Sequence, residues 1–227
     1  MPARIIVFDV NETLLDMGAL EPHFAQAFGN RLVWREWFST VLLYSEVASL
    51  AGPYADFSAI GGAVLDMTAA SRGISLKSEY RDNILAGMRS LPAHRDVHDG
   101  LRRLKDAGYR MVTLTNSAPA AVEQQLSYAG LADAFERVFS VDVVRRFKPA
   151  PEPYRFVASE LGVETRALRM VAAHAWDVVG AMQAGYAAAF VARPGKVLYP
   201  LAPPPDIIGA DLRAVAEQIV AKDSPRH

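Results

Sequence analysis

Ile5-Ile6-Val7-Phe8-Asp9, near the start of the 227-residue chain, is a short apolar run that ends at an aspartate. The run shows no polar alternation, which is typical of a strand buried on both faces of a parallel sheet. Ligands of such sheets bind beyond the carboxyl ends of the strands. We therefore predict that Asp9 faces a crevice, stays ionised and can attack an electrophile. Taken alone, a turn or helix-cap aspartate explains this residue equally well.

Similar apolar runs recur downstream of Ile5–Phe8, and most follow a helical pattern. Three amphipathic stretches end at glycines suited to close a helix, namely Gly108, Gly130 and Gly162. This alternation predicts an α/β fold with a doubly wound parallel sheet. The predicted later strands are Met111–Leu114, Met170–Ala173, Ala189–Ala192 and Ile207–Ile208, and the predicted helices are Val97–Ala107, Pro119–Ala129 and Tyr154–Leu161.

Residues 17–91 break the alternation, because they show several helical patterns and no convincing buried strand. We predict that they form an inserted helical domain, and that residues 1–16 and 92–227 form the core. The sequence leaves open whether Gly61-Gly62 breaks the third inserted helix. The predicted helices of the insertion are Pro22–Phe28, Leu32–Leu50, Phe57–Arg72 and Lys77–Met88.

The composition narrows the class of protein. With 51% hydrophobic residues, the chain can bury a substantial core, and its net charge of -1 gives no basic excess for nucleic acid or anionic lipid. The absence of cysteine removes disulfides and thiol nucleophiles, and it suits a cytoplasmic location. Asp9 comes too early for a signal-peptide core, and no apolar run is long enough to span a bilayer. We expect neither a membrane nor nucleic acid as a partner.

Polar residues also follow the second predicted strand and occupy a later proline-rich loop. Asn116 and the neighbouring amides could hold an anion, and Lys148, before Pro149, could pair with Asp9 and keep it charged. The ordinary alternatives are that Ser117 simply caps the helix after Asn116 and that Lys148 is a solvated surface lysine.

A fourth polar group, His174-Ala175-Trp176-Asp177, follows the third strong apolar run. Asp177, at the start of a helix, could orient Lys148, although capping alone explains it as well. His174 could bind substrate or activate water, but a lone histidine more often has a structural role. Trp176, taken alone, is expected in the hydrophobic core.

In order and spacing, these segments resemble the four motifs of the haloacid dehalogenase superfamily, and most nearly those of the L-2-haloacid dehalogenases. The resemblance runs from Arg4 to beyond Asp211. It implies a Rossmann-like core with the insertion as a helical cap, no metal or other cofactor, and a homodimer. The four matching segments are Phe8–Asp16, Leu114–Ser117, Lys148–Pro149 and Ala175–Asp177.

The resemblance also implies a two-step reaction. Asp9 would attack C2 of a short 2-haloacid, displace halide with inversion, and carry an ester that water then hydrolyses. Thr13 matches a hydroxyl beside the nucleophile, Lys148 the essential lysine and Tyr154 a supporting tyrosine. Asp177 matches the carboxylate that positions or activates water.

The same resemblance identifies candidate residues for the departing halide. Arg35, which follows Trp34, matches an arginine that reaches over the site, with Asn116 and Phe57 beside it. Thr115 matches a second hydroxyl near the nucleophile. On sequence alone, Arg35 is a surface charge of a helix.

Two short segments depart from the family pattern. Family members commonly show Tyr-Gly where this chain has Asn11-Glu12, and Ser-Ser-Asn where it has Ala172-Ala173-His174. Those side chains belong to the substrate carboxylate and the water shell. We hypothesise that His174 replaces the asparagine, and we include Asn11, His174 and Trp176 among the candidate substrate-binding residues.

Two alternative functions remain open. Phosphatases of the superfamily usually carry a second aspartate as general acid where this chain has Asn11, and they bind magnesium through a further acidic pair. Here Ala172-Ala173 leave Asp177 alone in the fourth motif, and a magnesium site needs oxygen ligands. A magnesium-dependent small-molecule phosphatase is the first alternative. The second is a catalytically silent, ligand-binding member.

Overall fold

The computed structural model describes residues 4–223, so residues 1–3 and 224–227 of the predicted core lie outside the described residues. Within the described range, one sheet of parallel strands forms the centre of the molecule in the order β3-β2-β1-β4-β5-β6. The strands are β1 (Ile5–Phe8), β2 (Met111–Thr115), β3 (Arg137–Ser140), β4 (Leu168–Ala172), β5 (Ala187–Val191) and β6 (Ile207–Gly209).

Strand β1 lies at the centre of the sheet, because it pairs with β2 on one side and with β4 on the other. Ile6, Val7 and Phe8 have no exposed surface, which accounts for their unbroken apolar character. The chain moves outward from β1 through β2 to β3, and then returns to β4 on the opposite side. The strand order therefore reverses beside Asp9, at the position where α/β sheets bind ligands.

The α/β prediction is confirmed, but the edge strand β3 was not predicted. Arg137 and Val138 are exposed, and only Phe139 and Ser140 of this strand are buried. An edge strand has one free side and needs no continuous apolar run. Because Arg137 and Val138 are exposed, β3 lacks the continuous buried apolar run that identified the inner strands.

The inserted segment is helical. At Gly61-Gly62, where the sequence left the course of the third helix open, the helix continues, and Gly61 lies against Trp37 of the second helix. The Trp37 indole N–H donates to the Gly61 carbonyl at 2.9 Å, which fixes the two helices together. The four helices are α1 (Glu21–Phe28), α2 (Val33–Leu50), α3 (Phe57–Ser71) and α4 (Ser78–Gly87).

The chain leaves and re-enters the core through paired segments. The Asp16 backbone N–H donates to the Pro92 carbonyl at 2.8 Å, and the His94 N–H donates to the Leu14 carbonyl at 2.9 Å. These contacts hold both ends of the insertion next to the loop that follows β1. The division into a core and a cap domain at these residues stays a prediction.

The remaining helices pack against the sheet or against one another. Gly108, Gly130 and Gly162 have φ values of 79°, 67° and 64°, so the predicted glycine helix ends are confirmed. No helix among residues 4–223 combines the length and apolar character needed to cross a membrane. These helices are α5 (Val97–Asp106), α6 (Pro119–Tyr128), α7 (Pro151–Glu160), α8 (Ala175–Gln183) and α9 (Leu212–Asp223).

Candidate active site

The carboxylate of Asp9 lies at the carboxyl end of β1, and the residue is 5% exposed. Thr13 Oγ1 donates to Oδ2 at 2.6 Å, and Lys148 Nζ donates to Oδ1 at 3.0 Å. The Ala173 N–H donates to Thr13 Oγ1 at 2.9 Å and so directs the hydroxyl proton to Asp9. Burial raises the pKa of Asp9, but the charge of Lys148 and the hydrogen bonds from His174 and Thr13 outweigh it and lower that pKa. Asp9 is therefore ionised at neutral pH.

Lys148 is buried and binds two carboxylates. Its Nζ lies 2.6 Å from Asp177 Oδ2, and it also donates to the Leu114 carbonyl at 2.9 Å. Burial lowers the pKa of Lys148, but the charges of Asp177 and Asp9 outweigh burial and raise it. The Tyr154 hydroxyl donates to the other oxygen, Asp177 Oδ1, at 2.6 Å. The structure thus brings the predicted aspartate, lysine, tyrosine and second aspartate into one hydrogen-bonded cluster.

A glycine in α8 allows this cluster to form. A Cβ on Gly180 would lie 2.6 Å from Pro149 Cβ and 2.8 Å from the Tyr154 hydroxyl, closer than real Cβ atoms approach. Because Gly180 has no side chain, α8 packs against the loop of Lys148 and carries Asp177 to it.

The residues after β2 hold that loop in place. Asn116 Oδ1 accepts a hydrogen bond from the Lys148 backbone N–H at 3.0 Å. Thr115 Oγ1 accepts from the Ser117 N–H at 3.1 Å. Both side chains therefore contact protein groups beside Asp9.

Asn11, the residue at the position of the phosphatase acid, is bound by its neighbours. Its Nδ2 donates to Ser117 Oγ at 3.2 Å, and its Oδ1 accepts from Gln125 Nε2 at 3.1 Å. These bonds join the loop after β1 to α6. A role of Asn11 in binding substrate stays a prediction.

His174 contacts Asp9 directly. Its Nδ1 lies 3.1 Å from Asp9 Oδ2 and its Nε2 lies 2.8 Å from Glu12 Oε2, while Lys196 Nζ donates to the same Glu12 oxygen at 2.7 Å. Burial lowers the pKa of His174, but the hydrogen bonds and charges of Asp9 and Glu12 raise it to about 9. The imidazole is therefore charged at neutral pH, and both ring nitrogens donate. Its ring stacks on Trp176 with 5.0 Å between centroids.

A cavity of about 570 Å³ lies between α2 and the loops after β1, β4 and β5. His174, Trp176 and Arg35 line it. Trp176 is half-buried, so the core position that its sequence context favoured is wrong and the ring forms part of the cavity wall. The Arg35 guanidinium lies 5.5 Å from the Trp34 ring centroid. Among the described residues Arg35 forms no salt bridge, which leaves its charge available to an anion.

The predicted group around the departing halide is not brought to one cavity. Phe57 lines a separate cavity of about 90 Å³, and Asn116 lines neither of the two. The ring of Phe38 lies between, with centroids 6.3 Å from Phe57 and 6.4 Å from His174. Arg35 therefore lies on the same cavity as His174, but not on that of Phe57.

Sequence reasoning missed Glu12 and Lys196 as site residues. Glu12 was identified only as a departure from the family pattern. Lys196 follows β5 after Pro194-Gly195, so the rule that polar residues beyond strand ends form the site applied to it as well. Their mutual contact joins residues 184 positions apart, which local sequence patterns do not reveal.

The fold and the site together define a class of protein. Asp9 follows the central strand, a buried lysine and a second carboxylate lie beside it, and α2 of the helical insertion lines a cavity at the same end of the strands. These features define a hydrolase with a Rossmann-like α/β fold and an aspartate at the end of the first strand. The chain belongs to the haloacid dehalogenase-like hydrolases, whose family model matches residues 3–185.

Particular relatives are similar along almost the whole chain. The (S)-2-haloacid dehalogenase of Pseudomonas sp. (strain YL) is 30% identical over 217 residues, which cover 93% of this chain and 92% of that enzyme. The (S)-2-haloacid dehalogenase of Xanthobacter autotrophicus is 31% identical over 192 residues, which cover 84% of this chain and 75% of that enzyme. A solved structure of the L-2-haloacid dehalogenase of Xanthobacter autotrophicus, with chloropropionic acid covalently bound, superposes with a TM-score of 0.89 at 26% identity, covering 97% of this chain and 99% of that chain.

Proposed function

We propose that the protein hydrolyses short (S)-2-haloalkanoic acids to 2-hydroxy acids through an ester on Asp9, without a metal. One observation carries this proposal: Asp9 is buried at the switch point of the sheet, where Lys148 Nζ donates to its Oδ1 at 3.0 Å. The names of the relatives support the substrate class. The covalently bound chloropropionic acid in the Xanthobacter structure supports a covalent intermediate.

The chemistry has two displacement steps. In the first, an Asp9 oxygen forms a bond to C2 of the substrate while the carbon–halogen bond breaks, and halide leaves with the bonding electrons. In the second, water adds to Asp9 Cγ, and the bond from Cγ to the substrate oxygen breaks. The products are halide, a proton and the 2-hydroxy acid with inverted configuration.

The buried cluster supports both steps. Lys148 holds Asp9 ionised and, 3.0 Å from Oδ1, stabilises the negative charge that develops when water adds to the ester. Thr13 aligns the carboxylate. Tyr154 and Asp177 fix the position of Lys148.

The substrate binds in the cavity of about 570 Å³, which has room for a short acid and ordered water. Arg35 of α2 receives the departing halide, and His174 and Trp176 line the region next to Asp9. Residues 17–91 act as the cap in this proposal, since α2 provides one wall of the cavity.

Chloride release tests the proposal. We expect L-2-chloropropionate to yield equal amounts of chloride and 2-hydroxypropionate in the presence of EDTA. Asp9→Asn removes the anionic nucleophile and should abolish release, whereas Asp133→Asn, at an exposed position, should leave it unchanged. Chloride release by Asp9→Asn at the wild-type rate, after exclusion of deamidation, would contradict the proposal.

Isotope labelling separates the ester route from direct attack by water. With excess enzyme in heavy-oxygen water, one turnover should place the label first in the carboxylate of Asp9, as measured by mass spectrometry of its peptide. A phosphatase would instead need magnesium and release phosphate. A silent member would bind the acid with no ester at Asp9.

The assembly is also a proposal. Helix α2 exposes large apolar side chains, which a second copy of the chain would cover in a homodimer. Sedimentation at several concentrations tests this, and a monomer at all of them would contradict it. A cytoplasmic location completes the proposal. The exposed residues are Leu43, Tyr44, Val47 and Leu50.

A further inference from the structure

The loop of residues 144–150, which carries Lys148 to the site, is held by side chains from two distant parts of the chain. The Lys148 backbone N–H donates to Oδ1 of Asn116, which follows β2, at 3.0 Å. The N–H of the preceding residue, Phe147, donates to Oγ of Ser49 at 2.9 Å, and Ser49 lies in the last turn of α2 in the insertion. Two successive backbone groups therefore fix the lysine, and the insertion holds one of them.

The side chain of Phe147 is also held by the insertion. It is 1% exposed, and its ring stacks on Tyr54 with 5.1 Å between centroids and an angle of 22°. The Phe57 ring, at the start of α3, lies 6.2 Å away on the same basis. Both the backbone and the ring of the residue before Lys148 therefore depend on where the insertion lies.

Tyr54, in the segment between α2 and α3, is itself tied to the end of β3. Its hydroxyl donates to Asp142 Oδ1, and burial and this hydrogen bond raise the pKa of Tyr54, so the hydroxyl keeps its proton. The Arg145 guanidinium lies 5.3 Å from the centroid of the tyrosine ring. The tyrosine therefore joins the insertion to both sides of this turn.

The two arginines before Phe147 complete the contact. Arg145 has a φ of 51°, in the left-handed region that a residue with a Cβ seldom adopts and that persists where the surrounding structure holds it. Arg146 Nη1 donates to the backbone carbonyl of Ser49. The contacts of Ser49 and Tyr54 thus extend over all three residues that precede Lys148.

The position of Lys148 leaves no latitude. Its ammonium group has three protons, and Nζ donates to Asp9 Oδ1 at 3.0 Å, to the Leu114 carbonyl at 2.9 Å and to Asp177 Oδ2 at 2.6 Å. The lysine side chain has no exposed surface. A displacement of its backbone therefore lengthens at least one of these bonds, and small errors in the position of reacting groups cost much in rate.

We propose that Ser49 and Tyr54 are positioning residues for ester formation: through Phe147 they hold Lys148 Nζ against Asp9, so that the nucleophile is ready only when the insertion is seated on this loop. The inference rests on the proposed function and adds to it a role for the segment after α2. Ser49 and Tyr54 lie outside the set of residues that line the large cavity. They therefore act on the rate of the reaction and not on the affinity for substrate.

The ionisation of Asp9 reports the position of Lys148. Lys148 and His174 are the cations that contact Asp9, and both lower its pKa, whereas the nearby carboxylate of Asp177 and burial oppose ionisation. Glu12 lies on the far nitrogen of His174. When Lys148 moves away, one of the two cations is lost and the pKa of Asp9 rises. Because only the ionised carboxylate attacks, the rate is then lost at a higher pH as the solution is acidified.

Single-turnover kinetics on Ser49→Ala test the inference. With excess enzyme and L-2-chloropropionate, we expect chloride release to slow by about 10-fold, while the enzyme concentration that gives half the maximal rate stays unchanged. The acid limb of the rate should move to higher pH, which a purely structural role would not cause. Ser49→Thr keeps the hydroxyl that accepts from Phe147 and should restore both the rate and the limb.

Ser45→Ala is the matched control within α2. The Ser45 hydroxyl lies one turn before Ser49, is buried and donates to the Val41 carbonyl at 2.8 Å, so its removal takes a hydroxyl from the same helix without a contact to the loop. We expect it to leave the rate of chloride release and the acid limb as in the wild type. Urea unfolding of each variant gives the folded fraction by which the rates are corrected.

Substitutions of Tyr54 provide a second, independent series. Tyr54→Phe keeps the stacked ring and loses only the bond to Asp142, whereas Tyr54→Leu also loses the stacking on Phe147. We expect both to slow chloride release and to shift the acid limb upward, the leucine variant more than the phenylalanine variant. Tyr128→Phe, at an exposed position of α6, should match the wild type.

Three results would overturn the inference. The first is a wild-type rate and acid limb in folded Ser49→Ala and Tyr54→Leu. The second is a loss of rate that disappears when the folded fraction is taken into account. The third is a higher half-saturating concentration at an unchanged maximal rate, which would assign these residues to substrate binding. Absence of chloride release by the wild type would instead contradict the proposed function itself.

Discussion

The ionisation of His174 links the chemistry of the site to the stability of the fold. Its folded-state pKa of about 9 lies above the ordinary value of 6.5. A group whose pKa is raised by folding stabilises the protein fully below the unfolded pKa and loses this contribution as pH rises through the folded one. The difference corresponds to roughly 3 kcal/mol. We expect wild type to lose this stability, relative to His174→Asn, between pH 6.5 and about 9.

Urea unfolding at several pH values measures the effect. The free energy of unfolding of His98→Asn should follow the wild type throughout, because this histidine is exposed. An equal difference between wild type and His174→Asn at both ends of the pH range would show that the imidazole is not charged in the folded protein.

Residues that follow a buried strand directly could be predicted from the sequence. Asp9 and the Thr115-Asn116 pair come after apolar runs whose ends must meet at one sheet edge. Glu12 could not be identified in this way, because its role depends on an unusual φ and on contacts with residues far along the chain. Arg35 could be placed on a helix of the insertion, but its distance from Phe57 depends on how α2 and α3 pack.

At the scale of elements, α8 is positioned by the absence of a side chain at Gly180. Alanine would gain about 1 kcal/mol of helix propensity. However, its Cβ would meet Pro149 and Tyr154 at 2.9 Å or less, and neither the ring nor the backbone there moves easily. We expect Gly180→Ala to destabilise the protein by about 1–3 kcal/mol and to slow turnover, because Asp177 moves from Lys148. Urea unfolding and chloride release measure the two effects.

Gly61→Ala is the matched control within α3. A Cβ there would lie 3.6 Å from the Trp37 ring, an ordinary contact. We therefore expect stability to increase by up to about 1 kcal/mol with turnover unchanged. If both alanine variants behaved alike, helix propensity rather than the close approach of α8 would decide the outcome.

Burial and backbone chemistry explain which helices and strands could be predicted from the sequence. The inner strands have continuous apolar runs, whereas the exposed Arg137 and Val138 hid the edge strand β3. Helix α7 begins at Pro151, three residues before the predicted Tyr154. The N–H groups of the first helical turn have no partner within the helix, so proline loses nothing there by lacking one. Proline can therefore begin a helix as well as end one.

At the scale of the whole molecule, Arg193 joins parts of the chain that are distant in sequence. Its Nη2 donates to the Thr13 carbonyl at 2.8 Å, and its Nη1 donates to Asp96 Oδ1 at 2.6 Å. Asp96 Oδ2 accepts from the Leu212 N–H at 2.6 Å, at the start of α9. The loop after β1, the segment that returns from the insertion and the last helix are therefore joined by one buried ion pair.

Removal of Arg193 should affect both stability and catalysis, because it leaves Asp96 buried without its cation and releases the carbonyl of Thr13. We expect Arg193→Met to destabilise the protein by about 3–5 kcal/mol, as for other broken buried pairs. Turnover should also fall, since Thr13 aligns Asp9. Arg213→Met removes an arginine whose side chain is 57% exposed, and it should cost about 0–1 kcal/mol. Urea unfolding and chloride release should be measured for both variants. Equal losses of stability and turnover in the two variants would mean that the last helix and the loop after β1 are positioned independently of this ion pair.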